Sequence, residues 1–414
     1  LSSQAKIKPK ESQKNYTALP TNMANTSSNL KISYQELRRA FASLSDPRGG
    51  PNLQYELASM LLAATAALLS NHLVVSAIAE WLAGQTEEVK EALGFVKGET
   101  PVQSTFQGLF ARLDPGPLEK VLSAFFDGKV VGPIRSRGSE GVAIDGKCQR
   151  GRLKFEETKG TPCHLLSAFC HKSGKVLGQL AFENKEAELT VAPQLLKQIE
   201  WEGRVVTGDA MFCQRNLCQQ VVEAGGDYLF MVKGNQPRLQ TDLEIVFEPV
   251  KASQWVSDGA DLLEMRADKT VEKGHGRIEV REIRASTELA DYSNWPYLAQ
   301  VFEVKRSWWE KGQLKTEVQL GITSLPKAVG DVKTLLELKR GHWGIENKLH
   351  WVRDVVLGED ASLIHKGAGP QIMAALRNTA LNLLRKAGHT KIISCLRFNS
   401  GHPAQVLALL GLNA

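Results

Sequence analysis

Between residues 141 and 232 the chain alternates short β-rich apolar runs with helical stretches. This alternation restricts the fold more than any other feature. Residues 142–144, 165–171 and 175–182 read as strands, with Lys172-Ser-Gly174 as a hairpin turn between the second and third. Residues 189–199 read as a helix, 205–208 as a fourth strand, 213–224 as a helix and 228–232 as a fifth strand. The order βββαβαβ predicts an α/β unit on a mixed five-stranded sheet, and a helix over 237–247 follows it.

The flanking segments read differently. Residues 33–128 are helical in pattern, with pieces at 34–44, 86–93, 102–113 and 116–126, the last two separated by Asp114-Pro115. Residues 57–79 carry no formal charge and are long enough to span a bilayer. Ser70, Asn71 and His72 interrupt that run and Glu56 and Glu80 flank it, so it reads as two buried helices joined near Ser70, and no membrane partner is expected. Residues 250–325 form a strand-rich insertion, with runs at 277–283, 298–307 and 314–322 and a turn at Lys311-Gly312. Helical pattern resumes at Asp331, runs past Glu346, and returns at 371–386 and 404–410.

Three acidic residues stand in distinctive settings. Asp145 ends one apolar run, in Gly141-Val-Ala-Ile-Asp145-Gly-Lys147, and Asp209 ends another, in Arg204-Val-Val-Thr-Gly-Asp209. Glu346 lies in the helical segment Arg340-Gly-His-Trp-Gly-Ile-Glu346-Asn-Lys-Leu-His-Trp-Val-Arg353. Two carboxylates at strand ends and a third on a later helix can converge on divalent metal, as a phosphodiester-cutting site requires. Taken singly, each reads as an ordinary turn or surface acid. Clustered, they would repel one another without cations between them. Ile345, Leu349, Val352 and Val356 fall at helical intervals and form the buried stripe of the segment, which leaves Lys339, His342, Trp343, His350 and Arg353 beside Glu346. Trp351 reads as core packing.

The net charge of +6 is uneven: residues 1–50 carry +5, residues 361–414 carry +6, and the middle is therefore net −5. Basic ends around an acidic centre fit a polyanion held at the ends and cut in the middle. The six cysteines form no C-x-x-C pair and read as reduced thiols of a cytoplasmic protein. No secretory signal is evident, residues 1–29 read as a disordered basic tail, and Met23 is a candidate natural start.

The local words Asp145-Gly-Lys147, Asp209-Ala210, Tyr228-Leu-Phe-Met-Val-Lys233-Gly-Asn-Gln236, His275-Gly-Arg-Ile-Glu279 and His342-Trp-Gly-Ile-Glu346-Asn-Lys-Leu-His-Trp resemble the H-repeat-associated, ISAs-type DDE transposases of bacterial insertion sequences. Asp46-Pro-Arg48 and the helical residues 33–128 resemble the N-terminal associated domain of that family. The resemblance implies an RNase H-like catalytic domain over 138–386 with its β-rich insertion, a DNA-binding helical domain over 30–130 and a basic helical tail over 387–414. It implies Asp145, Asp209 and Glu346 as the catalytic, metal-binding triad, with Mg²⁺ or Mn²⁺, two ions in all. It implies double-stranded DNA as partner, both terminal inverted repeats and target, bound by a homodimer at the nucleoid. Lys147, Lys233, Asn235, Gln236, His342, Trp343, Asn347 and Arg353 are the candidate DNA contacts; His342 stands where relatives use Arg, and Phe212 where many have His. Rival readings are a zinc hydrolase built on His342, Glu346 and His350, a non-catalytic DNA-binding descendant, and a host nuclease that only hydrolyses.

Overall fold

A computed structural model describes residues 37–49, 53–96, 99–127, 136–138, 140–150, 164–183, 187–248, 264–274 and 277–412. The expected basic tail over 1–29, Met23, Cys163 and His275 lie outside the described residues. The described cysteines at 170, 213, 218 and 395 are free thiols.

The helical half opens with α1 over residues 37–42. It continues with α2 (Leu57–Leu69), α3 (Val75–Ala83), α4 (Glu87–Leu93), α5 (Gln103–Arg112) and α6 (Pro115–Asp127). All of α2 is buried. The uncharged run of residues 57–79 is thus two interior helices, turning at Ser70 and Asn71, whose φ of 65° admits the reversal. Among the described residues no helix is long and apolar enough to cross a membrane.

The sheet carries β1 (Glu140–Cys148), β2 (His164–Cys170), β3 (Val176–Phe182), β4 (Arg204–Gly208) and β5 (Asp227–Val232). Helices α7 (Glu188–Leu196), α8 (Arg215–Glu223) and α9 (Pro237–Phe247) follow β3, β4 and β5. The antiparallel run β6 (Arg266–Gly274), β7 (Arg277–Ser286), β8 (Gln300–Glu310) and β9 (Gln313–Thr323) comes next. The sheet is larger than the sequence pattern indicates. β9 pairs antiparallel with β5, so the strands of the insertion extend the same sheet to nine, in the order β3-β2-β1-β4-β5-β9-β8-β7-β6. β6 escaped the sequence reading because its alternating residues are charged and only half-buried.

The central strands β4 and β5 are buried throughout, as parallel strands covered on both faces must be. Alternate residues point to opposite faces. Val206, Tyr228 and Phe230 pack with the helical side chains Leu195, Leu217, Val221 and Leu243. Val205, Leu229 and Met231 pack with Leu335 and Leu338 of α10 (Val332–His342). α10 starts at Asp331, whose carboxylate accepts the Thr334 N–H at 2.7 Å, and ends with Lys339, Arg340 and His342 in its last turn.

Beyond α10 the chain winds as a π-helix over Ile345–His350 and Val352–Val356. Its buried stripe is the one the spacing predicts: Ile345, Leu349, Val352 and Val356 are each no more than 9% exposed. They join a core built from the N-terminal helices and α11 (Gly369–Lys386). Trp351 falls off that stripe and is 48% exposed, contrary to the core position expected from sequence. α12 (Ile392–Asn399) and α13 (Pro403–Leu409) close the chain.

Candidate active site

β1 and β4 run parallel, with Ala143 opposite Thr207. Asp145 and Asp209 each stand two residues past that last pair, Asp145 still within β1 and Asp209 just beyond the end of β4. β4 ends at Gly208, and Asp209 begins a short 3₁₀ turn over Ala210–Phe212. β1 does not end at Asp145, as the apolar run implied; it continues to Cys148 on its pairing with β2. Asp145 therefore sits on a stretch of β1 flanked by β2 alone, which opens its other edge.

The first turn of the π-wound segment delivers Glu346 and His350 to that edge. His350 Nδ1 lies 3.2 Å from Glu346 Oε2 and 3.5 Å from Asp145 Oδ2. Donor atoms of Asp145, Glu346 and His350 all fall within 4.8 Å of one another. His350 is 3% exposed and its Nε2 is buried with no hydrogen-bond partner among the described residues, while its Nδ1 faces the carboxylates. π-turns recur at functional sites because the extra residue per turn re-aims side chains.

Burial is the largest influence on Asp145 and raises its carboxyl above the usual range; Asp209 raises it further, while His350 and His342 oppose. The hydrogen bond from His350 lowers Glu346. The imidazole of His342 lowers Asp209 against a partial burial cost, with Lys233 and Lys339 adding to the effect. His342 Nε2 lies 3.7 Å from Asp209 Oδ1, an electrostatic contact rather than a hydrogen bond.

The donor chemistry fits a hard divalent cation. Asp145 and Glu346 offer the carboxylate oxygens that suit Mg²⁺ or Mn²⁺ completed by water and phosphate, with the His350 imidazole hydrogen-bonded beside them. Asp209 is outside that three-donor group and faces His342 instead. The zinc set of His342, Glu346 and His350 does not assemble among the described residues: His342 turns to Thr207 and Asp209.

The remaining candidates divide by burial. Lys233 is exposed just past β5. Asn235 Nδ2 donates to Ala210 O at 2.8 Å and Gln236 Nε2 to Cys213 O at 2.9 Å, so both brace the turn that follows Asp209. Trp343 is 65% exposed, and Asn347 is exposed beside it with a long 3.4 Å bond to its carbonyl. Lys147 and Arg353 are interior. The Arg353 guanidinium grips Glu359 through Nε at 2.9 Å and Nη2 at 2.7 Å, and Lys147 Nζ reaches Glu359 at 2.9 Å and also pairs with Asp354. A side chain with no exposure cannot meet a phosphate at the surface, so the structure corrects Arg353 from a DNA contact to a core ion-pair member. The sequence reading places His350 beside Glu346 and in the rival zinc set but not with Asp145; its signal is the spacing of four from Glu346 on a shared face.

Fold and site together define an α/β protein with a carboxylate–imidazole centre on the open edge of a large mixed sheet. The model for the transposase DDE domain matches residues 136–383, and the DDE_Tnp_1-associated model matches residues 38–126. The chain belongs to the transposase DDE domain family. It is 29% identical over 366 residues to YncI of Escherichia coli O157:H7, a transposase-type protein by name, covering 86% of this chain and 88% of that one. It is 32% identical to the H repeat-associated, transposase-type YhhI of Escherichia coli strain K12, covering 66% and 72%. A cryo-EM structure of the piggyBac transposase synaptic complex with hairpin DNA aligns over 91% of this chain and 80% of that one, at TM-score 0.37 and 9% identity, too slight a likeness to transfer geometry.

Proposed function

We propose that the protein is an insertion-sequence transposase that cleaves DNA at the element ends and joins the freed 3′-OH to target DNA. The observation that carries this reading is the convergence of Asp145, Glu346 and His350, with Asp209 just past the end of the neighbouring parallel strand, in a chain of the transposase DDE family. Asp145 lies between the two halves of the site. It would serve both: with Glu346 it would hold one divalent cation, His350 bracing the two carboxylates, and with Asp209 a second. Bound cations of this kind neutralise phosphate charge and favour ionised water or hydroxyl for in-line attack.

The residues of the chain do the remaining work. Asp145, Asp209 and Glu346 stay ionised as ligands, and His350 holds Glu346 against Asp145. In the first step water attacks the phosphodiester, leaving a 5′-phosphate and a free 3′-OH; in the second that 3′-OH attacks a target phosphodiester, joins to its 5′-phosphate and displaces the target's own 3′-OH. The sheet of β1–β5 serves as the RNase H-like platform. DNA approaches from the side of Lys233, Trp343 and Asn347, bound by a homodimer.

The test is a nicking and joining assay with Mg²⁺ on DNA that carries the inverted repeats flanking the gene, using Asp145→Asn, Asp209→Asn and Glu346→Gln. Each substitution is expected to abolish both steps while leaving DNA affinity within about threefold, since each alters only the charge of a site carboxylate. Nicking without joining of pre-cut 3′-OH ends identifies a hydrolytic nuclease. DNA binding with no metal-dependent nicking identifies a non-catalytic derivative.

A further inference from the structure

Behind Asp209 a line of side chains crosses three elements. His171 Nε2 lies 3.0 Å from Thr207 Oγ1, Thr207 Oγ1 lies 3.2 Å from His342 Nδ1, and His342 Nε2 faces Asp209 Oδ1 at 3.7 Å. Thr207 is 1% exposed, and it stands in β4 two residues before the acid. The His171 ring occupies a slot with glycine on two sides. A Cβ at Gly141 of β1 would fall 2.2 Å from its Nδ1, and a Cβ at Gly341 of α10 would fall 2.3 Å from the same atom. Neither backbone position has a positive φ, so the glycines are there for space rather than for conformation. Any side chain at either place would collide with the imidazole.

Resting on the transposase reading above, we propose that His171 and Thr207 are positioning residues for Asp209. They act through His342, whose neutral tautomer they fix so that its Nε2–H is presented to the carboxylate. The direction of each bond follows from donor counting. A carboxylate only accepts, so wherever His342 carries a single proton that proton faces Asp209 on Nε2 and Nδ1 is bare. The Thr207 hydroxyl has one proton and gives it to that bare Nδ1. Its oxygen then accepts from His171 Nε2–H. Thr207 can donate to only one of its two imidazole neighbours, so the order is unique for this arrangement. Burial is the main influence on His171 and pushes it down to about 3, so it stays a neutral, one-proton partner. Orientation of a ligand's hydrogen-bond partner in this way typically governs metal affinity by about 10- to 100-fold.

Two measurements test this, one of them independent of catalysis. Long-range ¹H–¹⁵N correlation spectra of histidine-labelled, metal-free protein, at about pH 8 and so above the ordinary imidazole value of about 6.5, should show His342 and His171 as Nε2–H tautomers. The His342 signal is assigned from its loss in His342→Asn. An Nδ1–H tautomer at His342 overturns the proposal even if the enzyme nicks DNA. The second measurement compares Thr207→Ser with Thr207→Val by Mn²⁺ titration and by nicking. Ser keeps the hydroxyl and should stay within about threefold of the parent, whereas Val, nearer in shape, should lose about 10-fold or more in both. A packing role predicts the reverse order, which would overturn the proposal. Gly341→Ala, which displaces His171 from its slot, should mix the His342 tautomers as Thr207→Val does; an unchanged His342 signal in Gly341→Ala counts against the relay. If the parent itself never nicks DNA, the tautomer and Mn²⁺ measurements still decide the relay, and only the functional reading falls.

Discussion

His350 Nδ1 lies 3.5 Å from Asp145 Oδ2, so a residue of the π-wound helix meets one of the central strand across 205 positions of sequence. The same nitrogen is 3.2 Å from Glu346. The imidazole thus either shares a cation with the two acids or holds them in place for one, and both roles lead to the same expectation. His350→Ala should weaken Mn²⁺ binding by about 10- to 100-fold, read by isothermal titration of the whole chain. An affinity equal to that of the parent protein would remove His350 from the site.

A buried ion-pair cluster fastens the helix that carries Glu346. Glu359 is 3% exposed and meets Arg353, Lys147 and Arg377. Despite full burial, these cations hold its carboxyl down at about 2. Its folded value is below the ordinary 4.5, so its contribution is complete above pH 4.5 and is lost as pH falls towards about 2. Glu359→Gln should destabilise the protein by about 3–5 kcal/mol at pH 7, because it leaves buried cations uncompensated. Arg353→Met should cost a similar amount and leave the salt dependence of DNA binding unchanged. Urea denaturation gives the first quantity. A loss below about 1 kcal/mol would mean that water or neighbouring groups already compensate the charges.

How far these features were legible in sequence depends on how local their causes are. The strand that carries Asp145 and the one that precedes Asp209 announce themselves by short β-branched runs, and the buried stripe of Ile345, Leu349, Val352 and Val356 by its spacing. Lys147 reads as a DNA contact in sequence because its partner Glu359 is 212 positions away, a distance over which sequence gives no pairing signal; Arg353, six positions from Glu359, reads so because its burial is set by distant elements. The π winding after α10 likewise has no sequence signature, yet it decides that His350 faces Asp145 and Trp351 faces solvent. The merging of the insertion into one sheet depends on the β5–β9 pairing, another long-range choice.

The contact between α6 and the sheet should make stability depend on pH near neutrality. Glu119 of α6 is buried beside Gln179 of β3, which donates to it at 2.5 Å. Burial raises its carboxyl to about 8, opposed by Gln179 and Arg353. The folded protein therefore holds this proton between pH 4.5 and about 8, where the unfolded chain has released it. Stability from this group is full below pH 4.5 and falls as pH rises to about 8. The slope is about 1.4 kcal/mol per pH step at most, if no other group titrates. Glu119→Gln should flatten that decline, so the variant gains on the parent between pH 5 and 8 in matched urea titrations. Parallel curves for the two proteins would show Glu119 to be ionised in the fold.

DNA binding should separate two lysines that look alike in sequence. Lys233 is exposed just past β5, on the side of the sheet where Asp209 lies, and its charge helps lower that carboxyl. Lys147 is 6% exposed and its ammonium is consumed by Glu359 and Asp354. Each phosphate neutralised by an exposed cation releases condensed counterion, and the slope of log K against log salt changes by about 0.9 for each such contact on duplex DNA. Lys233→Ala should therefore make the slope shallower by about 0.9 and leave urea stability within about 0.5 kcal/mol. Lys147→Met should do the opposite: an unchanged slope with a loss of about 3–5 kcal/mol in stability. Anisotropy titrations between 50 and 200 mM salt, the range where phosphate contacts are strongly expressed, measure both slopes. A shallower slope in Lys147→Met, with the Lys233→Ala slope unchanged, would move the DNA path away from β5 and towards the cluster beneath β1.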